Sequence, residues 1–175
     1  MIGTGYHGTL TSNVESILRS GLRPRGRRKS HDAYLGIPSN PEFVYLASSP
    51  VLAADHITRI SERLYGGAPV TILSIDATGL NNRLVYPDED WLSDEWNSDL
   101  RFWPHKEQLA FMRLHQAEWE ESLSNICSIA YRGVVKPHLI NANPIPLIQY
   151  ISDEKRRMWQ ERVLKSRAMQ KTQAA

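Results

Sequence analysis

Two short stretches place reactive or stackable side chains at strand ends: Tyr6-His7-Gly8-Thr9 and Val44-Tyr45-Leu46-Ala47. Each is followed at once by the start signals of a helix, so a histidine and a tyrosine occupy similar local settings. A single buried His or Tyr commonly just fills a sheet. Two in parallel settings make a shared site the more informative expectation. The other candidates are weaker. Cys127 is the only cysteine, no histidine lies near it in sequence, and a buried small residue is expected there rather than a nucleophile. His7, His31, His56, His105, His115 and His138 show no H-x-x-x-H spacing and the chain has no C-x-x-C, so no metal site is expected. Asp88-Glu89-Asp90 has the oxygens for a cation, yet acids directly after Pro87 equally suit the start of a helix, which is the simpler reading.

The elements that must hold these residues are punctuated clearly. Ser12-Asn13-Val14-Glu15 has the form of a capping box, Val14, Ile17 and Leu18 share a face, and Gly21-Leu22 is a helix stop. Residues 23–41 are rich in Arg, Gly, Ser and Pro and read as a long irregular loop. Phe43–Ala47 is a strand, and Ser49-Pro50 opens a helix with Ala53, Ile57, Ile60 and Leu64 at helical spacing, closed by Gly66-Gly67. Val70–Ile75 is the clearest strand. Glu107 to Leu123 reads as one helix with Leu109, Ala110, Met112 and Leu114 on overlapping faces. Ser128–Val135 reads as a strand, residues 136–140 as a turn, and Pro146–Ile151 as a last strand before a basic helix. No G-x-G-x-x-G or G-K-[ST] phosphate loop follows any strand, so an α+β fold is expected rather than a doubly wound parallel sheet.

The two stretches, in this order and context, resemble the ADP-ribosyltransferase superfamily in its diphtheria-toxin-like and poly(ADP-ribose)-polymerase-like branch. The match runs over Tyr6-His7-Gly8-Thr9, then Ile17-Leu18-Arg19-Ser20-Gly21-Leu22, then Val44-Tyr45-Leu46-Ala47 with Ser48-Ser49-Pro50-Val51-Leu52-Ala53-Ala54, to about Asp76. The resemblance implies an α+β fold of the split β-sheet sandwich type with flanking short helices, spanning residues 1–151 ahead of a basic C-terminal helix or tail at 152–175. It also implies a mono-ADP-ribosyltransferase that takes NAD as co-substrate, cleaves the nicotinamide–ribose bond and transfers ADP-ribose to a macromolecular acceptor, protein or nucleic acid. His7 and Tyr45 would be catalytic. His7 would bond the nicotinamide-side ribose, the Gly8 backbone the carboxamide, and the Tyr45 ring would stack on the nicotinamide. Ser48 or Ser49 would donate to the carboxamide, and Thr9 would meet the adenine-side ribose. A glycine at position 8 would let backbone and ligand approach closely.

Many members carry a glutamate at the head of a late strand. Here Asn125, Ile126, Cys127 and Ser128 stand at that head, and none is acidic. An acid can arrive from elsewhere, with Asp88, Glu89, Asp90, Glu107, Glu118, Glu120 and Glu121 available; otherwise the enzyme relies on substrate assistance, or the chain binds NAD without turnover. The tRNA 2′-phosphotransferases are a second relative with a non-acidic third position. This chain departs from them in having no Arg before His7 and in having Tyr45 where they commonly have His. A non-catalytic NAD- or ADP-ribose-binding module is the third alternative.

Composition limits the classes further. At 175 residues, 41% hydrophobic and 23% charged, the chain suits one domain with a real core. A single cysteine, no apolar leader and no membrane-spanning run lead to the expectation of a cytoplasmic protein without a membrane role. The net charge of +2 hides two basic regions, Arg23, Arg25, Arg27, Arg28 and Lys29 in one and seven cations from Lys155 to Lys171 in the other. The loop run has the chemistry to pair with phosphates, or is a solvated surface. Trp91, Trp96, Trp103, Trp119 and Trp159 have the faces for base stacking. Four of them lie among acids that repel phosphate, so core or partner packing is expected.

Overall fold

A computed structural model describes residues 3–26, 39–96, 99–141 and 144–146. The expected basic C-terminal helix, most of the expected loop and the end of the last strand lie outside them. The fold is α+β, with one open, antiparallel sheet of six strands: β1 (Thr4–Leu10), β2 (Val44–Ala47), β3 (Val70–Asp76), β4 (Val85–Pro87), β5 (Ser128–Tyr131) and β6 (Ile145–Pro146). Their order across the sheet is β4-β5-β2-β1-β3-β6. The described helices are α1 (Val14–Ser20), α2 (Pro50–Tyr65), α3 (Glu89–Glu95), α4 (His105–Leu114) and α5 (Trp119–Ile126). None of the described helices is long and apolar enough to cross a membrane.

The sheet has a seam. β1 pairs with β3 over all seven residues and β2 pairs with β5 over all four, but β1 and β2 share one pair, Tyr6–Ala47. The strands are therefore grouped as β4-β5-β2 and β1-β3-β6, joined at a point. On one face a single apolar cluster spans the seam, with Leu46, Ile129 and Tyr131 from one group and Leu73 and Ile75 from the other. On the opposite face the core is divided. Phe43, Tyr86 and Leu100 pack with Trp91 of α3 and Met112 of α4, while Ala47, Val70 and Ile72 pack under Ala53, Ile57 and Ile60 of α2. One cluster thus covers the seam on one side, and on the other side there are two clusters, the second of which reaches across through Ala47 of β2.

Several local expectations are corrected. Ser12 does not cap α1: a 3-10 turn at Thr11–Asn13 runs straight into the helix, so no extended cap residue exists and no side-chain cap bond forms. Gly21 does take positive φ (85°), and Leu22 joins the core beside Val14, Ile17 and Leu18, pairing in backbone with Val135. Ser49 precedes Pro50 at the start of α2 as expected, but its side chain makes no cap bond. Leu64 and Leu114 are exposed rather than core residues, at 39% and 78%. The helix expected from Glu107 to Leu123 is broken at His115, where the side chain bonds Glu118 and Gln116 bonds the carbonyls of Arg83 and Val85, so two short helices replace one. β4 was not apparent in the sequence, and β5 stops at Tyr131, four residues short. Cys127 is half-buried, and it is the sole non-glycine residue with positive φ (59°) among the described residues.

Gly8 has a structural reason that differs from ligand approach. A Cβ there would lie 2.5 Å from Ile57 Cγ2 and 2.6 Å from the Ala53 carbonyl, because α2 crosses β1 at this residue. Gly8→Ala is expected to destabilise the fold by about 1–3 kcal/mol through overpacking, seen as a lowered midpoint in urea or heat. An unchanged midpoint would mean that α2 does not rest on Gly8.

Candidate functional site

The site is built at the seam. The His7 ring turns toward β2, and its Nδ1–H donates to the Tyr45 carbonyl at 3.0 Å. A carbonyl can only accept, so the proton sits on Nδ1 and the neutral ring leaves Nε2 as an acceptor. Burial lowers the His7 pKa, the Tyr45 bond partly offsets this, and nearby His56 lowers it further. The ring is therefore neutral at pH 7.

This bond reveals where the main chain of Gly8 points. The Tyr45 carbonyl faces β1, and strand alternation makes the Ala47 main chain face the same way, whereas Ser48 N–H turns to the other side and donates to Cys127. Tyr6 and Ala47 are then a mutually bonded pair. Two residues on, the Gly8 N–H and C=O point in the same direction as those of Tyr6, into the opening. Continued pairing would have set Gly8 against Tyr45, but the ladder ends before that point and the His7 side chain takes the Tyr45 carbonyl instead.

Tyr45 is also fixed at its other end. Its hydroxyl donates to Glu89 Oε1 at 2.7 Å and accepts from Asn40 N–H at 3.1 Å. Asn40 is buried and tied by its amide to the His105 carbonyl and to Gln108 Oε1, and Gln108 in turn donates to the Leu100 carbonyl. The ring itself packs beside Phe43, with centroids 6.4 Å apart. Burial, followed by the charges of Glu89 and Asp88, pushes the Tyr45 hydroxyl well above its ordinary pKa.

Asp88 and Glu89 are the acids brought to this place. Asp88 caps α3 by accepting from Asp90 N–H at 2.9 Å, which agrees with the helix-start reading of the triplet. Its other oxygen accepts from Ser128 at 2.6 Å, and Ser128 is the head of β5, where the resemblance led to the expectation of a carboxylate. Ser122 completes this corner, accepting from Asp88 N–H and donating to the Ser128 carbonyl. Glu89 Oε2 is buried with no hydrogen-bond partner among the described residues, as is Ser93 Oγ one turn further along α3. Burial, reinforced by the neighbouring charge, raises the Asp88 pKa to about 6 and lifts Glu89 well above its usual range. The pair was legible only as members of a longer list of available acids.

The remaining expected residues are placed unevenly. The Ser48 and Ser49 hydroxyls are half-buried and make no hydrogen bond among the described residues, so both have donors to offer near the end of β2. Thr9, expected to meet the adenine-side ribose, is only 6% exposed and pairs in backbone with Thr71 on β3. Arg23 donates to the Ser20 carbonyl at the end of α1, and Arg25 to the Ser39 carbonyl; Arg27, Arg28 and Lys29 lie outside the described residues. A concavity of about 320 Å³ lies elsewhere, between the start of β1 and the end of β3, and none of the expected site residues lines it. Among the described residues no group of three or more metal-binding side chains forms.

No protein-family model matches the chain, and no curated protein is similar to it.

The buried carboxyls give a pH test. Glu89 holds its proton to higher pH when folded than its ordinary value of 4.5 allows, so the folded chain binds more protons above that value. Its contribution is most favourable below pH 4.5 and is lost as pH rises. Asp88 acts in the same direction between 3.8 and about 6, whereas His7, lowered from 6.5, costs stability as pH falls below that value. Glu89→Gln is therefore expected to gain on the parent protein by more than about 1 kcal/mol between pH 4.5 and 8 in urea titrations, because the buried charge is removed. A stability difference flat across that range would show that Glu89 is not held in this environment.

Proposed function

We propose that the chain is an NAD-dependent mono-ADP-ribosyltransferase acting at the seam between β1 and β2. The observation that carries this reading is the tie between the His7 ring and the Tyr45 carbonyl, which joins the two sequence-flagged residues where the sheet parts. A sheet divided at one pair also supports the finer reading of the fold as the split sandwich of that superfamily.

In this reading each residue has a task its chemistry suits. The neutral His7 accepts a ribose hydroxyl at Nε2. The Gly8 N–H and C=O, aimed into the opening, are complementary to a carboxamide, which accepts at its carbonyl oxygen and donates from its NH2 group. The Tyr45 ring offers a face for the nicotinamide, with its hydroxyl held by Asn40 and Glu89 and its main chain by His7. Ser48 and Ser49 supply donors beside it. The nicotinamide–ribose bond breaks with its electron pair going to the nicotinamide. The acceptor nucleophile forms the new bond to the same ribose carbon and releases a proton. Asp88, held against the head of β5, is the carboxylate nearest to the position at which the superfamily expects its acid. Held positions and fixed charges, rather than a covalent intermediate, supply the acceleration.

Labelled NAD tests this directly. With the full-length chain and a mixed acceptor extract, nicotinamide release is expected to fall by about 100-fold or more in His7→Ala and in Tyr45→Ala. Tyr45→Phe keeps the ring and is expected to lose about tenfold or less, with a stability cost of about 1–2 kcal/mol from the abandoned Asn40 and Glu89 groups. An absence of NAD binding by calorimetry, or equal release by the parent protein and His7→Ala, rejects the proposal.

A further inference from the structure

We infer that the aromatic band across the far ends of α3 and α4 docks the acceptor, and that the acceptor is a protein segment rich in lysine and arginine. The inference rests on the transferase reading for the word acceptor, while the surface itself is independent of it.

The band is continuous. Trp96 at the end of α3 packs on His115 with centroids 4.6 Å apart, His115 on Phe111 at 4.4 Å, and Phe111 on Trp103 at 5.5 Å. Trp96 is 50% exposed, and Leu114, beside His115 at the end of α4, is 78% exposed, so large apolar side chains here remain uncovered by the described residues. Glu118 locks the band, accepting from Trp96 Nε1 at 3.4 Å and bonding His115 Nδ1 at 2.8 Å.

Charge selects the partner. Residues 90–121 contain eight Asp and Glu, none of them buried, against three Lys and Arg, although the whole chain carries a net charge of +2. Exposed Glu95 and Asp99 stand beside this band in sequence, with Glu118 built into it. A phosphate backbone would be repelled by such a surface, whereas a guanidinium or ammonium group would be attracted by the carboxylates and could lie on the Trp96 face. The position fits an acceptor site too. α3 begins at Glu89, on the Tyr45 hydroxyl, and ends beside Trp96, about 10 Å further along its axis. A segment seated on the band therefore reaches the seam within a few residues.

The docking measurement needs neither NAD nor turnover. Fluorescently labelled probes are titrated with the full-length chain: a synthetic Lys- and Arg-rich peptide containing leucine, an acidic peptide of equal length, and single-stranded DNA and RNA oligonucleotides. Only the basic peptide is expected to bind, with affinity lowered at least about tenfold by Trp96→Ala, by Leu114→Lys and by about 0.5 M salt. Leu114 is too exposed for its substitution to unfold the protein, so that variant keeps the test decisive if Trp96→Ala is unstable. Nicotinamide release into water without acceptor is expected to be unchanged in both variants. Equal binding of the basic peptide by the parent protein and both variants, or oligonucleotide binding that Leu114→Lys alters, overturns the inference. Failure of the transferase reading would instead show as absent nicotinamide release with docking intact.

Discussion

Among the described residues the two strand groups pair in the sheet at Tyr6 and Ala47 alone, and that constraint organises the rest of the molecule. A ladder that stops leaves main-chain groups of both strands without their sheet partners, and buried groups of that kind must be satisfied in another way. The His7 ring provides one such answer by taking the Tyr45 carbonyl. In doing so it fixes its own tautomer and leaves the Gly8 main chain directed into the opening. Tyr45 thereby becomes a strut, held at the carbonyl by one strand group and at the hydroxyl by Asn40 and α3. The apolar cluster that bridges the other face keeps the two groups from separating while the seam stays open.

The acidic corner at the start of α3 works against the stability of the fold. Two consecutive carboxyls are buried, and one oxygen of Glu89 has no partner among the described residues. Burial of an incompletely paired carboxylate works against folding, and apolar replacements of such groups often stabilise a protein. A chain that keeps such a corner beside a pre-arranged His–Tyr pair resembles a binding site more than a core, since strain and unmet polarity concentrate where ligands act. Ser128 and Ser122 give the corner its stiffness, linking Asp88 to β5 and α5.

How much of this was legible follows from the range of each interaction. β1, β2, β3 and α2 were marked by local signals: alternating apolar residues, proline at a helix start and paired glycines at its end. His7 and Tyr45 stood out because their local settings repeat. What could not be read depends on contacts far apart in sequence. The capping box failed because Thr11 is held to β3, by its amide on Pro69 and its hydroxyl on Thr71, which favours the 3-10 turn. The single long helix failed because Gln116 reaches back to β4, an element only three residues long and without turn signals of its own. Asp88 and Glu89 were visible as acids, but only the register of β5 against β2 and β4 brings them to Ser128 and Tyr45.

The seam also bears on how the molecule comes together. β2 lies between β1 and β3 in the chain yet pairs along its whole length with β5, some eighty residues later, so the two strand groups are interlaced rather than successive. Neither the first nor the second half of the chain holds a complete group by itself. Pairings of such separation form late, after the entropy of closing a large loop has been met. His7, Tyr45, Glu89 and Ser128 come from four separate segments spread over about 120 residues of sequence. Asp88 and Ser128 therefore meet only when β5 has docked on the β2 edge, and a half-folded chain has a tyrosine and a histidine without the acidic corner beside them.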